Sequence, residues 1–315
     1  MRLASAAWIV ALGLLGLAPS FADPVSATEG KPQEKVELRT RFQKGEKFPL
    51  KLSYAMSFKL DKVPEAFQGV VTEEPLNLKV EALLDVEVKS VADDGAATLE
   101  GAWKQLKAKG HALTQDVDFL YDAAKKDDEK PKVDEGGGQG LLNLEDQLRK
   151  IVKNPVAMSV DRLGKMKVEG GAGKGELNGM LSLNGLMGSL PADKVGPGDK
   201  WTTEDKLAMP GPLAGAVQFK VKSENSYASD EKGCAVIQSK FSVSSEKGAP
   251  GENLLDIELK TSGEGEGKTH FRVKDGRPAK SESKLKVRLE AAFNAGGQDI
   301  DLKASVKIDQ GVEIP

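Results

Sequence analysis

Leu76-Asn-Leu-Lys-Val-Glu-Ala-Leu-Leu-Asp-Val-Glu-Val-Lys89 decides the fold. Leu76, Leu78, Val80, Ala82, Leu84, Val86 and Val88 fall on one side of an extended chain. Asn77, Lys79, Glu81, Asp85, Glu87 and Lys89 fall on the other. Period two with a single apolar face is the pattern of antiparallel sheet with one side in water. Leu285 to Phe293 and Ile300 to Ile308 repeat it. Further strands are expected at 36–42, 48–60, 97–108, 115–121, 216–228, 234–245, 253–262 and 267–274.

Turn residues punctuate these runs. Asp93-Asp-Gly95 joins two strands, and Asp161-Arg-Leu-Gly164 has the same character. Lys274-Asp-Gly-Arg277 predicts a two-residue type I′ hairpin. Strands of 12 residues reach roughly 40 Å, about twice the common length. Such sheets coil, and Gly101 sits where a bend is needed. The fold class expected is mainly β: long curved antiparallel sheets, half-barrel-like, with one or two short helices on their apolar faces. Leu141, Leu144, Leu148, Ile151 and Val152 recur at helical spacing, and Asn154-Pro155 ends the run. Leu177, Met180, Leu181, Met187 and Leu190 form a weaker helical pattern interrupted by glycines.

The first 22 residues read as an export leader. Arg2 supplies the positive end, Leu3 to Leu17 the apolar run, and Ser20-Phe-Ala22 a small-x-small cleavage site. Residues 23–35 are polar and read as a disordered lead-in. Residues 36–190 then form an N-terminal β unit with a helical insertion, and 191–315 a C-terminal β unit. Phe42-Gln-Lys-Gly-Glu-Lys-Phe48 and Val195-Gly-Pro-Gly-Asp-Lys-Trp201 open the two halves alike, which suggests an internal duplication. The expected location is the periplasm or the cell exterior. No integral membrane segment is expected after cleavage.

Charge and composition narrow the function. The formal net charge is −3, and a leader carrying Arg2 as its one charge leaves −3 − 1 = −4. Nucleic-acid binding needs a basic face, and none is visible. Gly170-Gly-Ala-Gly-Lys-Gly175 fails as a phosphate-binding loop: Val168 stands where its first glycine belongs, and Gly175 where Ser or Thr belongs. Gly263-Glu-Gly-Glu-Gly267 is acidic where a dinucleotide loop must cradle pyrophosphate. No serine is framed as Gly-x-Ser-x-Gly. His111 and His270 are isolated, and Asp127 to Glu135 lacks Ca-loop spacing, so no metal, cofactor or catalytic residue is assigned. Asp116 and Asp118 read as the wet side of a strand, and Trp103 and Trp201 as core anchors. The lone Cys234 reads as a small buried hydrophobe.

The elements Val195-Gly-Pro-Gly-Asp-Lys-Trp201 and Asp275-Gly-Arg-Pro-Ala-Lys-Ser-Glu-Ser283 resemble those of an uncharacterised family of exported proteins from planctomycete-type bacteria. The Pro that precedes the Val in that family is displaced here to Pro191. The resemblance implies structure and no activity. In architecture the chain is loosely similar to periplasmic lipoprotein carriers, which wrap a curved sheet around plugging helices. The expected function is therefore non-catalytic: an exported envelope protein, not an enzyme, that holds an apolar ligand between sheet and helix near Leu141, Leu144, Leu148 and Met180. The partner is then an apolar small molecule or lipid. Alternatives are a structural or protein-interaction module that meets another envelope protein, and, further off, a hydrolase with a dispersed site.

Overall fold

The computed structural model describes residues 34–61, 74, 76–112, 115–125, 144–170, 190–208, 217–247, 258–295 and 298–315. The leader and the lead-in to residue 33 lie outside the described residues, as do the Gly-rich loops and 177–189 of the weaker helix. Twelve strands and one helix are described. They are β1 (Lys47–Leu60), β2 (Leu76–Val91), β3 (Ala97–Ala112), β4 (Gln115–Asp122), α1 (Leu144–Val152), β5 (Val156–Val160) and β6 (Met166–Gly170). After them come β7 (Lys200–Ala208), β8 (Val217–Glu231), β9 (Cys234–Lys247), β10 (Glu258–Arg272), β11 (Arg277–Ala295) and β12 (Gln298–Glu313).

The strands make one antiparallel sheet in the order β6-β5-β3-β2-β1-β12-β11-β10-β9-β8-β7, with β4 paired to the far part of β3. Apart from β4, neighbours in space are neighbours in sequence, and β1 pairs with β12 over Lys51–Leu60. The halves 36–190 and 191–315 thus meet at β1–β12, while the chain crosses near residue 190 from one edge of the sheet to the other. Those edges, β6 and β7, share no strand pairing but approach each other. Lys165, just before β6, places Nζ 3.0 Å from Asp205 Oδ1 of β7, and Leu190 N donates to Leu163 O at 2.9 Å. The sheet is a curled meander left open at that seam.

Period two explains which side faces in. Leu78, Leu84, Val86 and Val88 of β2 are at most 1 % exposed, while Lys79, Glu81, Asp85 and Lys89 stand in solvent. A Cβ on Gly101 would lie 2.9 Å from Leu84 Cδ2 and 3.3 Å from Met158 Cε, so side chains of both flanking strands close over it. The same device corrects one expectation: 253–262 and 267–274 are not separate strands. Their described part is the single strand β10, which runs through Gly263, Gly265 and Gly267. A Cβ on Gly263 would meet Val287 Cγ2 at 3.1 Å and Val243 Cβ at 3.2 Å, so the glycines are strand positions covered by neighbours, not a loop.

Two further expectations are corrected. Residues 36–42 are not a sheet strand. Val36 makes one bridge to Val195, Thr40 N donates to Arg162 O, and Arg41 N donates to Gly276 O. Hydrogen bonds to three separate loops make a strap across the strand ends, and the fully buried Leu38 pins it on Leu190, Tyr227, Ile237 and Phe271. The turn at Asp275-Gly276 is not type I′. Arg272 pairs with Arg277 across four residues, and Gly276 (φ +65°) donates from N to Arg272 O at 2.9 Å. Type I′ needs two consecutive positive φ values, and these occur at Lys232 (51°) and Gly233 (81°) between β8 and β9. The Asp94-Gly95 and Asp161–Gly164 turns each end on a glycine with positive φ, as their sequence suggests.

Candidate functional site

The predicted helix forms as α1, closed by Asn154 Nδ2 donating to Lys150 O at 2.9 Å. Its apolar face points into the curl. Leu148, Ile151 and Val152 are 3 %, 4 % and 8 % exposed, in one core with Leu106, Ala108, Val117 and Phe119 of β3 and β4. The Arg149 guanidinium lies 5.4 Å from the centre of the Phe119 ring. Of the predicted ligand-contacting residues, Leu148 is therefore packed into the core. Leu144 begins the helix, and Leu141 and Met180 lie outside the described residues.

The inner face changes character across the molecule. Under β1–β6 it is a continuous apolar core. Under β7–β12 it carries an apolar cluster at each end, one around Leu38 and Phe271, the other around Val243, Val287 and Leu289. Between them, cross-strand register aligns Gln310, Ser283, Gly267, Ser239 and Asn225 in one inward row. The next row is Met56, Ile308, Leu285, Gly265, Phe241, Ser223 and Thr203. Beyond it come Phe58, Val306, Val287, Gly263, Val243 and Val221. Met56, Phe58, Val306, Ile308, Leu285 and Phe241 form a half-buried apolar strip. Beside the strip, Asn225 and Ser239 are buried, and Ser239 Oγ donates to Asn225 Oδ1 at 2.7 Å. Asn225 Nδ2, Thr203 Oγ1 and Thr261 Oγ1 are buried without a hydrogen-bond partner.

The outer face is a lattice of charges. Lys79, Ala55, Asp309, Lys284, Glu266, Lys240 and Glu224 follow one another across seven strands from β2 to β8, with signs alternating from Asp309 onward. Between this row and the row through Ser53, Gly311, Glu282, Lys268 and Gln238 runs a furrow of about 720 Å³. Its walls carry Lys79, Lys240, Lys268 and Lys284 against Glu266, Glu282 and Asp309, so the two signs nearly cancel. A membrane-spanning barrel carries an apolar band outward; here the outward rows are Lys and Glu. No described helix is long and apolar enough to cross a membrane.

The titratable candidates lie apart. His111 Nε2 is 2.6 Å from Glu74 O, and His270 Nδ1 is 3.9 Å from Glu231 Oε2 at the surface. Asp116 and Asp118 are exposed, opposite His111 and Lys109. Among the described residues no group of three His, Cys, Asp or Glu is placed to hold a metal. Cys234 is a free thiol, half-buried at the start of β9. Trp103 is in the core at 5 % exposure, and Trp201 packs on the strap cluster. Burial pushes the Tyr54 phenol up to about 12, and burial, then hydrogen bonding to Asp230, pushes Tyr227 up as well. The Val195–Trp201 element is structural: Asp199 accepts from Gly196 N at 3.0 Å and from Lys35, which together hold its carboxyl below the usual range.

Asn225, Ser239, Thr203 and Thr261 were not singled out by the sequence reading. Their signal is phase. In Val221–Tyr227 the inward positions read Val, Ser, Asn, Tyr, so Ser223 and Asn225 are polar residues at positions that period two assigns to the interior.

No family model matches the chain, and no curated protein does. Among solved structures it is similar, at 9 % identity and TM-score 0.17, to one described as "Asymmetric conductivity of engineered proteins". It is similar, at 7 % identity and TM-score 0.18, to OmpT, an outer membrane protein of Vibrio cholerae. Each match covers 85 % of this chain and 99 % of the other. At this level neither bears on fold or function.

Proposed function

We propose that the protein is a non-catalytic binding protein, exported to the periplasm or beyond, that holds an apolar ligand against the inner face of its curled sheet. The observation that carries this reading is the half-buried apolar strip of Met56, Phe58, Val306, Ile308, Leu285 and Phe241. A single sheet cannot bury its own apolar face, and layers pair for that reason. Among the described residues α1 contacts β3 and β4, leaving the strip beside it without a helix. The ligand therefore lies farther along the sheet than the helix contact at Leu148. Export rests on Arg2, the apolar run to Leu17 and Ser20-Phe-Ala22. A second reading, a protein-interaction module, is supported by the sheet edge of β7 at the seam, which has no strand partner among the described residues.

The test is native mass spectrometry of protein purified from its host, paired with Nile red fluorescence. A co-purified lipid and a bound dye are expected. Leu285→Glu should weaken dye binding by about tenfold or more, equivalent to roughly 1.4 kcal/mol, with little change in melting midpoint. Protein that carries no lipid and binds no dye would overturn the carrier reading in favour of the module.

A further inference from the structure

We infer that the outer face of β1, β12 and β11 is a docking surface for a linear polyanion that also carries hydroxyl groups, an acidic polysaccharide. The inference concerns the face opposite the apolar strip, and it stands whether or not the strip holds a ligand. Register across the sheet aligns Lys59, Ser305, Arg288, Ser262, Ser244 and Lys220 in one outward row. This row carries cations and hydroxyls and no carboxylate, whereas the row from Asp309 to Glu224 alternates in sign. Between the two rows, Lys307 lies directly opposite Lys286, with Ser57 on its other side. Like charges directly opposed destabilise a sheet. At another like-charged pair, Glu87 and Glu100, Lys89 bridges the two carboxylates at 3.3 and 2.9 Å. Lys286 and Lys307 have no such bridge. Among the described residues neither makes an ion pair, and Lys59 and Arg288 make none either. An anion from outside supplies the missing bridge.

The surroundings select the partner. Lys59, Lys286, Arg288 and Lys307 are exposed, and the carboxylate that faces them directly is Glu264, opposite Lys286. Asp309 and Glu290 stand two residues farther along β12 and β11, opposite Lys284 and Lys303. The patch is therefore basic although the chain as a whole is acidic. It escapes a reading of the sequence because its cations come from three strands, which only register brings together. The row crosses the strands and so follows the curl of the sheet. A flat lipid surface meets a few strands of it, while a flexible chain can follow the row over five strand spacings, about 24 Å. Serine hydroxyls between the cations can pair with hydroxyls of the partner, as Lys and Arg pair with its charges. No aromatic side chain stands in the row, and single-stranded nucleic acid is held by aromatic stacking as well as by cations. A polymer of carboxylated sugars offers charge and hydroxyl along one chain.

Fluorescence anisotropy of labelled polygalacturonate, titrated with the mature chain at low salt, tests this. Binding is expected, it should weaken as salt rises, and neutral dextran should not compete. Lys286→Gln combined with Lys307→Gln should weaken binding by about tenfold or more, the scale of lost hydrogen bonds to charged groups. The same two changes relieve the opposed charges, so the melting midpoint should hold or rise. Lys240→Gln combined with Lys268→Gln removes equal charge from the mixed-sign rows and should change affinity by less than about threefold, as screened surface charges do. No binding by the unmodified chain, or an equal loss in this control, would overturn the inference. Tighter competition by poly-L-glutamate or by phosphatidylglycerol vesicles would overturn it in favour of an acidic protein or a membrane. Nile red binding reports on the carrier reading separately and should be unchanged in both variants.

Discussion

The two halves of the sheet share one strand pattern and differ in what they place inside it. Inward positions of β2 and β3 hold Leu78, Val80, Leu84, Leu99 and Trp103, and α1 adds Leu148 and Ile151. The matching positions of β8 to β11 hold Asn225, Ser239, Gly263, Gly265, Gly267, Thr269 and Ser281, and of these Thr269 and Ser281 hydrogen-bond to each other at 2.8 Å. The first half is closed by side-chain mass. The second is closed only at its ends and held between them by glycine contacts and hydroxyl bonds. Alternation therefore specifies that a sheet forms, and the identity of the inward residues specifies whether its interior is filled.

The sharpest way to break this comparison is to place a charge in each half. Leu148→Asp buries an uncompensated carboxylate in the filled core and should cost about 3–5 kcal/mol. Chemical denaturation should show unfolding, whereas Leu285→Glu in the half-buried strip should stay folded. Equal losses would mean the two interiors are alike.

Alkali gives a smaller effect, centred on β1 between the halves. Tyr54 is held neutral by burial up to about pH 12, while an exposed phenol ionises near 10. Above pH 10 the unfolded chain loses this proton and the folded chain keeps it. Stability should thus be constant below pH 10 and fall as pH rises through 12, by on the order of 2 kcal/mol. Melting as a function of pH should show the slope, and Tyr54→Phe should remove part of it. An unchanged slope in the variant would place the titrating group elsewhere.

The smallest effect is at the seam. Lys165→Ala removes the ion pair to Asp205, whose side chains are 40 % and 22 % exposed, and should cost less than about 1 kcal/mol. The loss should shrink in high salt. A salt-independent loss of several kcal/mol would show that the seam, not the core, governs the second half.

The fold was legible because alternation in β2, β11 and β12 is nearly unbroken and α1 has an apolar stripe with a clear Asn-Pro stop. The β10 glycines misled for a physical reason: a glycine run signals a loop until the side chains that cover it, Val243 and Leu285, are known, and these come from other strands. The strap misled because its alternation serves burial of Leu38 rather than strand pairing. The buried polar pair of Asn225 and Ser239 was hidden because its two members are 14 positions apart in the chain, and register between β8 and β9 is what brings them together.

The pairing of β1 with β12 has a consequence for how the chain is made. Every other contact on the path between strands is available soon after its two partners leave the ribosome. The second edge of β1 must wait for the last strand to arrive. Until then Lys51–Leu60 present an unpaired edge of ten residues, the kind of template that recruits foreign strands. Lys51 and Lys59 along that edge put positive charge on its wet face, the device by which sheet proteins blunt edge-to-edge pairing.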